Sequence, residues 1–170
     1  MITHVKTEPS KAPQVSIGMP VYNGEATICE ALDSLLAQTF TDFELIISDN
    51  ASTDGTESIC REYALKDQRI VYIRQSVNVG AAKNFKYVLD HAKGVLFMWW
   101  AADDTRSVDF VEQNAHFLEK HPEYVASTSP NFMEGQSRSG ESLVTFSMTG
   151  CVEERFQSFF DNCWNSHGIF

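Results

Sequence analysis

The chain is short of positive charge, of long apolar runs and of clustered cysteines, and each shortage removes a class of function. Lysine and arginine number 13 against 23 acidic residues, for a formal net charge of -10. Such a surface repels phosphate backbones and anionic headgroups, which argues against general nucleic-acid or membrane-surface binding. A phosphate-bearing ligand would need a cation between itself and the protein. The longest apolar run, residues 95–102, falls far below the roughly 20 residues that span a bilayer. The N-terminal MITHVKTEPSKAP is polar and lacks an apolar signal core, so a soluble, cytoplasmic chain without a transmembrane segment is expected. The four cysteines (Cys29, Cys60, Cys151 and Cys163) show neither CxxC pairing nor zinc-like histidine spacing. They read as free thiols, with Cys29 and Cys60 as small buried residues of helices. A GxGxxG fingerprint and a Walker A motif are both missing, which counts against NAD and ATP.

What is present is enough apolar residue for a core and a regular alternation of patterns. The 170 residues are 43% hydrophobic and 21% charged, the balance of one folded domain. Residues 1–13 read as a loose tail. Short apolar or β-branched runs predict strands at 15–20, 43–48, 70–74, 95–99 and 124–129. Between them, helical spacing predicts helices over 25–37, from about 56 onward, through Ala81, Phe85, Val88 and Ala92 on one face, and over 108–119. The run 95–99 is apolar throughout and reads as the most buried strand. This order predicts an α/β fold with a mostly parallel central sheet and helices on both faces, three layers in all. The pattern changes after residue 130. Residues 14–130 therefore form the expected ligand-binding subdomain, and 131–170 begin a second region with a turn-rich link, a hairpin strand at 143–148 and a helix over 153–162. The apolar residues Phe156, Phe159, Phe160, Trp164 and Phe170 suit a partner surface, another copy included, or a continuation of the chain.

In parallel sheets ligands gather at the carboxyl ends of the strands. Polar clusters follow the first four predicted strands: Pro20-Val21-Tyr22-Asn23-Gly24-Glu25, Asp49-Asn50 through Thr56, Asn78-Val79-Gly80 with Asn84, and Ala101-Ala102-Asp103-Asp104. Tyr22 offers a flat face to a nucleobase, and Asp49 or Asn50 an acceptor for a uracil N3–H. With few basic residues at hand, a diphosphate is best neutralised by Mn2+ or Mg2+ on carboxylates, for which Asp103 and Asp104 are the candidates. That ion would stabilise the departing diphosphate. The segment Asp54-Gly55-Thr56 reads first as a turn and helix cap.

These four segments, VSIGMPVYNGEATICEALDSLLAQTF, FELIISDNASTDGT, NVGAAKN and FMWWAADD, in this order and spacing, resemble the family 2 glycosyltransferases. The resemblance covers about residues 14–130. It implies the GT-A (Rossmann-like) fold and inverting transfer of a sugar from a nucleotide donor, usually a UDP-sugar, to an acceptor of unstated chemistry. It implies that Pro20, Tyr22 and Asn23, with Glu25 beside them, lie along the base, and that Asp49-Asn50 reads the uracil edge where the family more often has two aspartates. It implies further that Asn78, Gly80 and Asn84 line the donor site, with Lys83 where arginine is frequent. The DxD-type motif falls on residues 101–104 with alanine in its leading position, leaving Asp103 and Asp104 to share ribose and metal. The general base, an Asp or Glu of the acceptor side, is expected beyond residue 170, because Glu153, Glu154 and Asp161 read as exposed helix positions. Two alternatives stand beside this. One is a UDP- or UDP-sugar-binding module without the base. The other is a nucleotidyltransferase, which would need a Gly-rich basic loop that VYNGEAT does not supply.

Overall fold

A computed structural model describes residues 12–127. Within them, strands β1 (Val15–Val21), β2 (Phe43–Asp49), β3 (Ile70–Arg74) and β4 (Leu96–Trp99) alternate with helices α1 (Ile28–Leu36), α2 (Thr56–Lys66), α3 (Ala81–Asp90) and α4 (Phe110–Lys120). All pairings are parallel, in the order β3-β2-β1-β4. The chain steps outward from β1 to β3 and then returns past its start to β4. Parallel crossovers are right-handed, so this reversal sends α3 to the face opposite α1 and α2. Helix α3 accordingly packs on β1 and β2. The reversal also opens a crevice at the carboxyl edge, where β1 parts company with its two neighbours.

Strand alternation sorts the residues between the two faces. Val15, Ile17, Met19 and Val21 join Phe43, Leu45 and Ile47 in a core with Ile28, Leu32 and Leu35 of α1, Cys60 of α2, and Val111 and Ala115 of α4. The opposite face carries Ser16, Gly18 and Pro20 beside Glu44, Ile46 and Ser48 through the register Ser16↔Glu44, Gly18↔Ile46, Pro20↔Ser48. It is more polar, yet its polar atoms are paired. Ser16 Oγ donates to Glu44 Oε1 at 2.6 Å and accepts the Gly94 N–H at 2.7 Å. Ser48 Oγ donates to Asn84 Oδ1 at 2.6 Å, and Asn84 Nδ2 donates to the Ser48 carbonyl at 2.8 Å. Gly18 lets α3 approach: a Cβ there would meet Val88 Cγ2 at 2.6 Å and Phe97 Cζ at 2.9 Å.

Four expectations change. The fifth strand does not form over residues 124–127, and 128–129 lie outside the described residues. Instead the Tyr124 ring packs tilted against Phe117 and edge-on to His121 at the end of α4, 5.3 and 6.0 Å between centroids. The most buried strands are β1 and β2, since every residue of both is buried, whereas β4, which among the described residues pairs only with β1, is half-exposed. The inward face of α3 is Asn84 and Val88; Phe85 is exposed, because Ser48 on the sheet below requires a polar partner. Cys60 is buried, and burial pushes its thiol up to about 12, but Cys29 is exposed. The predicted hairpin strand, the helix over 153–162 and the apolar residues from Phe156 onward lie outside the described residues. Among the described residues no helix is long and apolar enough to cross a membrane.

Candidate functional site

The carboxyl ends of β1 and β2 meet in an open cleft of about 160 Å³, lined by Pro20, Tyr22, Asn50, Asn78, Asn84 and Phe85 among others. The lining follows from strand alternation. Even-numbered positions at these ends face α3, so Pro20, Tyr22 and Asn50 share one side. Tyr22 stands 49% exposed at the rim, free to present its ring. Asp49 points the other way. It is wholly buried, accepts the Ser52 N–H on Oδ1 and the Tyr72 hydroxyl on Oδ2, each at 2.8 Å, and lies 3.7 Å from Arg74 Nε. Burial, reinforced by this carboxylate, holds the Tyr72 phenol far above its usual range. Of the acidic-position pair, therefore, Asn50 faces the cleft and Asp49 braces the turn behind it.

Asn50 is oriented by its neighbours. Its Oδ1 accepts the Val79 N–H at 2.8 Å and its Nδ2 donates to Asn78 Oδ1 at 2.9 Å. A backbone N–H can only donate, so the amide cannot be flipped without losing that bond. Asn78 Oδ1 also accepts the Gly80 N–H at 2.9 Å, and Gly80 enters α3 at φ 87°, a region that L side chains rarely adopt. This clamp joins the β2 end to the start of α3 and forms one wall of the cleft.

Asn23 and Glu25 join the two loops rather than lining the cleft. The Asn23 N–H donates to Ser52 Oγ at 2.9 Å, and Asn23 Oδ1 accepts the Thr53 N–H at 2.8 Å. Glu25 Oε2 accepts the Gly55 N–H at 2.8 Å, capping the approach to α2. Asp54 accepts the Glu25 and Thr56 N–H groups, each at 3.1 Å, so the expected cap role of the 54–56 segment is present. Asn23 and Ala51 both turn with positive φ, 52° and 61°, immediately after the exposed Tyr22 and the cleft-lining Asn50.

The acidic segment after β4 lies at the same edge, since Gly18↔Trp99 and Val21↔Asp49 bring the ends of β4 and β2 to either side of β1. Helix α1 and its flanks hold it. Thr27 Oγ1 donates to the Ala102 carbonyl at 2.9 Å, Gln38 Nε2 donates to the Ser107 carbonyl at 2.8 Å, and Gln38 Oε1 accepts the Val111 N–H at 3.0 Å. Sequence reading missed these residues; the available signal was Gln38, a polar residue next to the apolar run that ends α1 and itself buried. Asp103 is exposed, and among the described residues it has no hydrogen-bond or ion-pair partner. Asp104 pairs with Arg106 at 2.9 Å. No group of three His, Cys, Asp or Glu that could cage a metal occurs among the described residues. A hard divalent ion that takes one or two carboxylates, with phosphate oxygens and water completing its shell, fits this donor set; a metal needing a closed protein cage does not.

The model of glycosyl transferase family 2 matches residues 16–168 of this chain, across the whole site just described. The chain belongs to glycosyl transferase family 2. Among its relatives, EpsE of Bacillus subtilis (strain 168) is 37% identical over 116 residues, covering 68% of this chain and 42% of that protein. The minor teichoic acid biosynthesis protein GgaB of the same organism is 33% identical over 130 residues, covering 74% of this chain and 14% of that protein. Among solved structures, S. aureus TarS 1-349 in complex with UDP-GlcNAc matches with TM-score 0.60 and 29% identity, over 64% of this chain and 32% of that one. The mannosyltransferase PcManGT of Pyrobaculum calidifontis, in complex with GDP-Man and Mn2+, matches with TM-score 0.58 and 28% identity, over 65% and 34%. This family 2 chain thus spans less than half the length of each of these proteins. Its parallel, helix-flanked sheet is that of the GT-A class. The carboxylates Glu153, Glu154 and Asp161 lie outside the described residues.

Proposed function

We propose that this chain forms the donor site of an inverting glycosyltransferase and binds a nucleotide-sugar, UDP-linked, with a divalent cation at Asp103–Asp104. One observation carries the reading: an exposed aromatic ring, an oriented amide and a carboxylate without a partner among the described residues stand along a single sheet edge, at the positions where family 2 places its donor. The TarS complex with UDP-GlcNAc supports a uridine donor. Tyr22 offers its face to the base, and Asn50 offers its amide group to the base edge. Asp103 is exposed and without a partner among the described residues, and Asp104 beside it pairs with Arg106. Mn2+ or Mg2+ bound there would supply the positive charge that a departing diphosphate needs in this acidic chain. The general base is assigned to an Asp or Glu of the acceptor side, and the acceptor is a hydroxyl-bearing glycan, lipid or protein.

A melting experiment on the full chain tests the reading. At UDP about 100-fold above its dissociation constant, with Mn2+, binding adds roughly 2.7 kcal/mol, which for a domain of this size is about 5–10 °C in Tm. GDP under the same conditions gives a smaller shift, and Asn50→Ala reduces the UDP shift. No shift with either nucleotide, with or without Mn2+, rejects the donor-site reading. A shift without release of UDP from UDP-glucose or UDP-GlcNAc, acceptors present, identifies a binding module.

A further inference from the structure

Arg106 has no place in the donor-site reading above, yet its side chain is largely enclosed, between two aromatic rings and one carboxylate. Its guanidinium carbon lies 4.6 Å from the centroid of the Phe110 ring and 5.3 Å from that of Trp100. Its backbone is held on both sides by one hydroxyl: Ser34 Oγ accepts the Arg106 N–H at 2.9 Å and donates to the Arg106 carbonyl at 3.2 Å. The Nη2 donates to Asp104 Oδ2 at 2.9 Å, while Nε is buried without a partner among the described residues. The Trp100 indole N–H donates to the Asp104 carbonyl at 3.0 Å, closing a ring of contacts from the end of β4 through Asp104 to Arg106.

We propose that Arg106 is a positioning residue that divides the acidic pair: it retains Asp104 on the loop and leaves Asp103 as the carboxylate offered to the cation. The inference rests on the donor-site reading and says which aspartate serves it. The Arg106 side chain is only 19% exposed and already has one unsatisfied N–H. Asp104 is itself 47% exposed, so the pair is only partly desolvated, but moving Asp104 to an ion would strip the more enclosed guanidinium of its counter-charge. A cation placed beside Asp104 would also face the guanidinium's own positive charge. Asp103, exposed and unpaired among the described residues, meets an ion without either cost.

The test measures Mn2+ affinity of the full chain at saturating UDP, by calorimetry or by the paramagnetic signal of free Mn2+. Asp103→Asn is expected to weaken Mn2+ at least tenfold, and Asp104→Asn about threefold. Arg106→Met keeps the packing on Trp100 and Phe110 but frees Asp104. It should tighten Mn2+ at least threefold, with Arg106→Lys restoring the wild-type value and Asp104→Asn in the Arg106→Met background abolishing the gain. A merely structural Arg106 would lower Tm without that Asp104-dependent gain, and this result overturns the proposal. An Asp104→Asn loss as large as that of Asp103→Asn overturns it too, as does UDP binding that ignores Mn2+. Absence of any UDP binding in the wild type is instead the failure of the donor-site reading itself.

Discussion

The two halves of the site edge are built differently. On one side, behind Tyr22 and Asn50, nearly every polar group has a partner inside the fold: Asp49 with Ser52, Tyr72 and Arg74, Asn50 with Asn78 and Val79, Asn23 with Ser52 and Thr53. On the acidic side, α1 holds the loop backbone through Thr27, Ser34 and Gln38 but leaves Asp103 exposed. The first half spends its polar groups on shape, so a planar ligand meets a wall already in place. The second half secures its main chain and keeps a charge available. A carboxylate on the first half should therefore matter for stability, and one on the second for ligand.

The largest contrast tests that division directly. Asp49→Ala removes two hydrogen bonds to a buried charge and should cost about 3 kcal/mol, lowering Tm by roughly 10 °C. Asp103→Ala removes an exposed group with no partner among the described residues and should stay within about 0.5 kcal/mol. Denaturant unfolding of both variants settles it, and comparable losses would dissolve the distinction. Next in size is Gly18→Ala, whose Cβ would press on Val88 and Phe97 at 2.6 and 2.9 Å. Such overpacking costs about 1–3 kcal/mol. Because the pushed helix α3 carries Asn84 and Phe85 of the cleft wall, UDP affinity should fall with stability, whereas unaltered affinity would show that the wall tolerates displacement.

A smaller effect follows from Asp54. Its partial burial opposes ionisation, but the Thr56 hydroxyl and the Thr56 and Glu25 N–H groups outweigh this and hold the carboxyl below its ordinary value. The stabilisation is thus fully present above the ordinary carboxylate pKa of about 4 and is lost as pH falls through the lower folded value. Wild type should melt above Asp54→Asn near neutrality, with the gap narrowing below about pH 4. A gap unchanged down to pH 3 would mean that charge plays no part in stitching these loops.

Much of this organisation was legible in the sequence, and the gaps have physical causes. The strands at residues 15–20 and 43–48 were readable because burial on both faces leaves short runs rich in Val, Ile, Leu, Met and Phe, too short for a helix. Helix α3 was misread at Phe85 because an amphipathic pattern identifies an apolar stripe, while the sheet beneath α3 offers Ser48, so Asn84 turns inward instead. The apolar run at 95–99 suggested the deepest strand, yet depth depends on neighbours, and among the described residues β4 has only β1. The Asp49-Asn50 choice was open because adjacent residues at a strand end face opposite sides, and local sequence does not say which side carries the cleft. The roles of Gln38, Ser34 and Arg106 rest on contacts between residues about 70 positions apart, as in Gln38 to Ser107 and Ser34 to Arg106, for which no local pattern exists.

The smallest effect concerns the turn that aims Asn50. Ala51 stands at φ 61°, where its Cβ crowds the following carbonyl. The left-handed conformation costs an L residue roughly 1–2 kcal/mol, whereas glycine gives up about 0.5–1 kcal/mol of unfolded-chain entropy. Ala51→Gly should therefore stabilise the chain by about 0.5 kcal/mol, the difference between those two quantities. Asn23, also left-handed, has Oδ1 on the Thr53 N–H to offset its strain, so Asn23→Gly should destabilise instead. Opposite signs at two turns of similar φ, read by denaturant midpoints, would show that the loop after β1 is held by its side chain and the loop after β2 by its neighbours. Equal signs would remove that difference between the two turns.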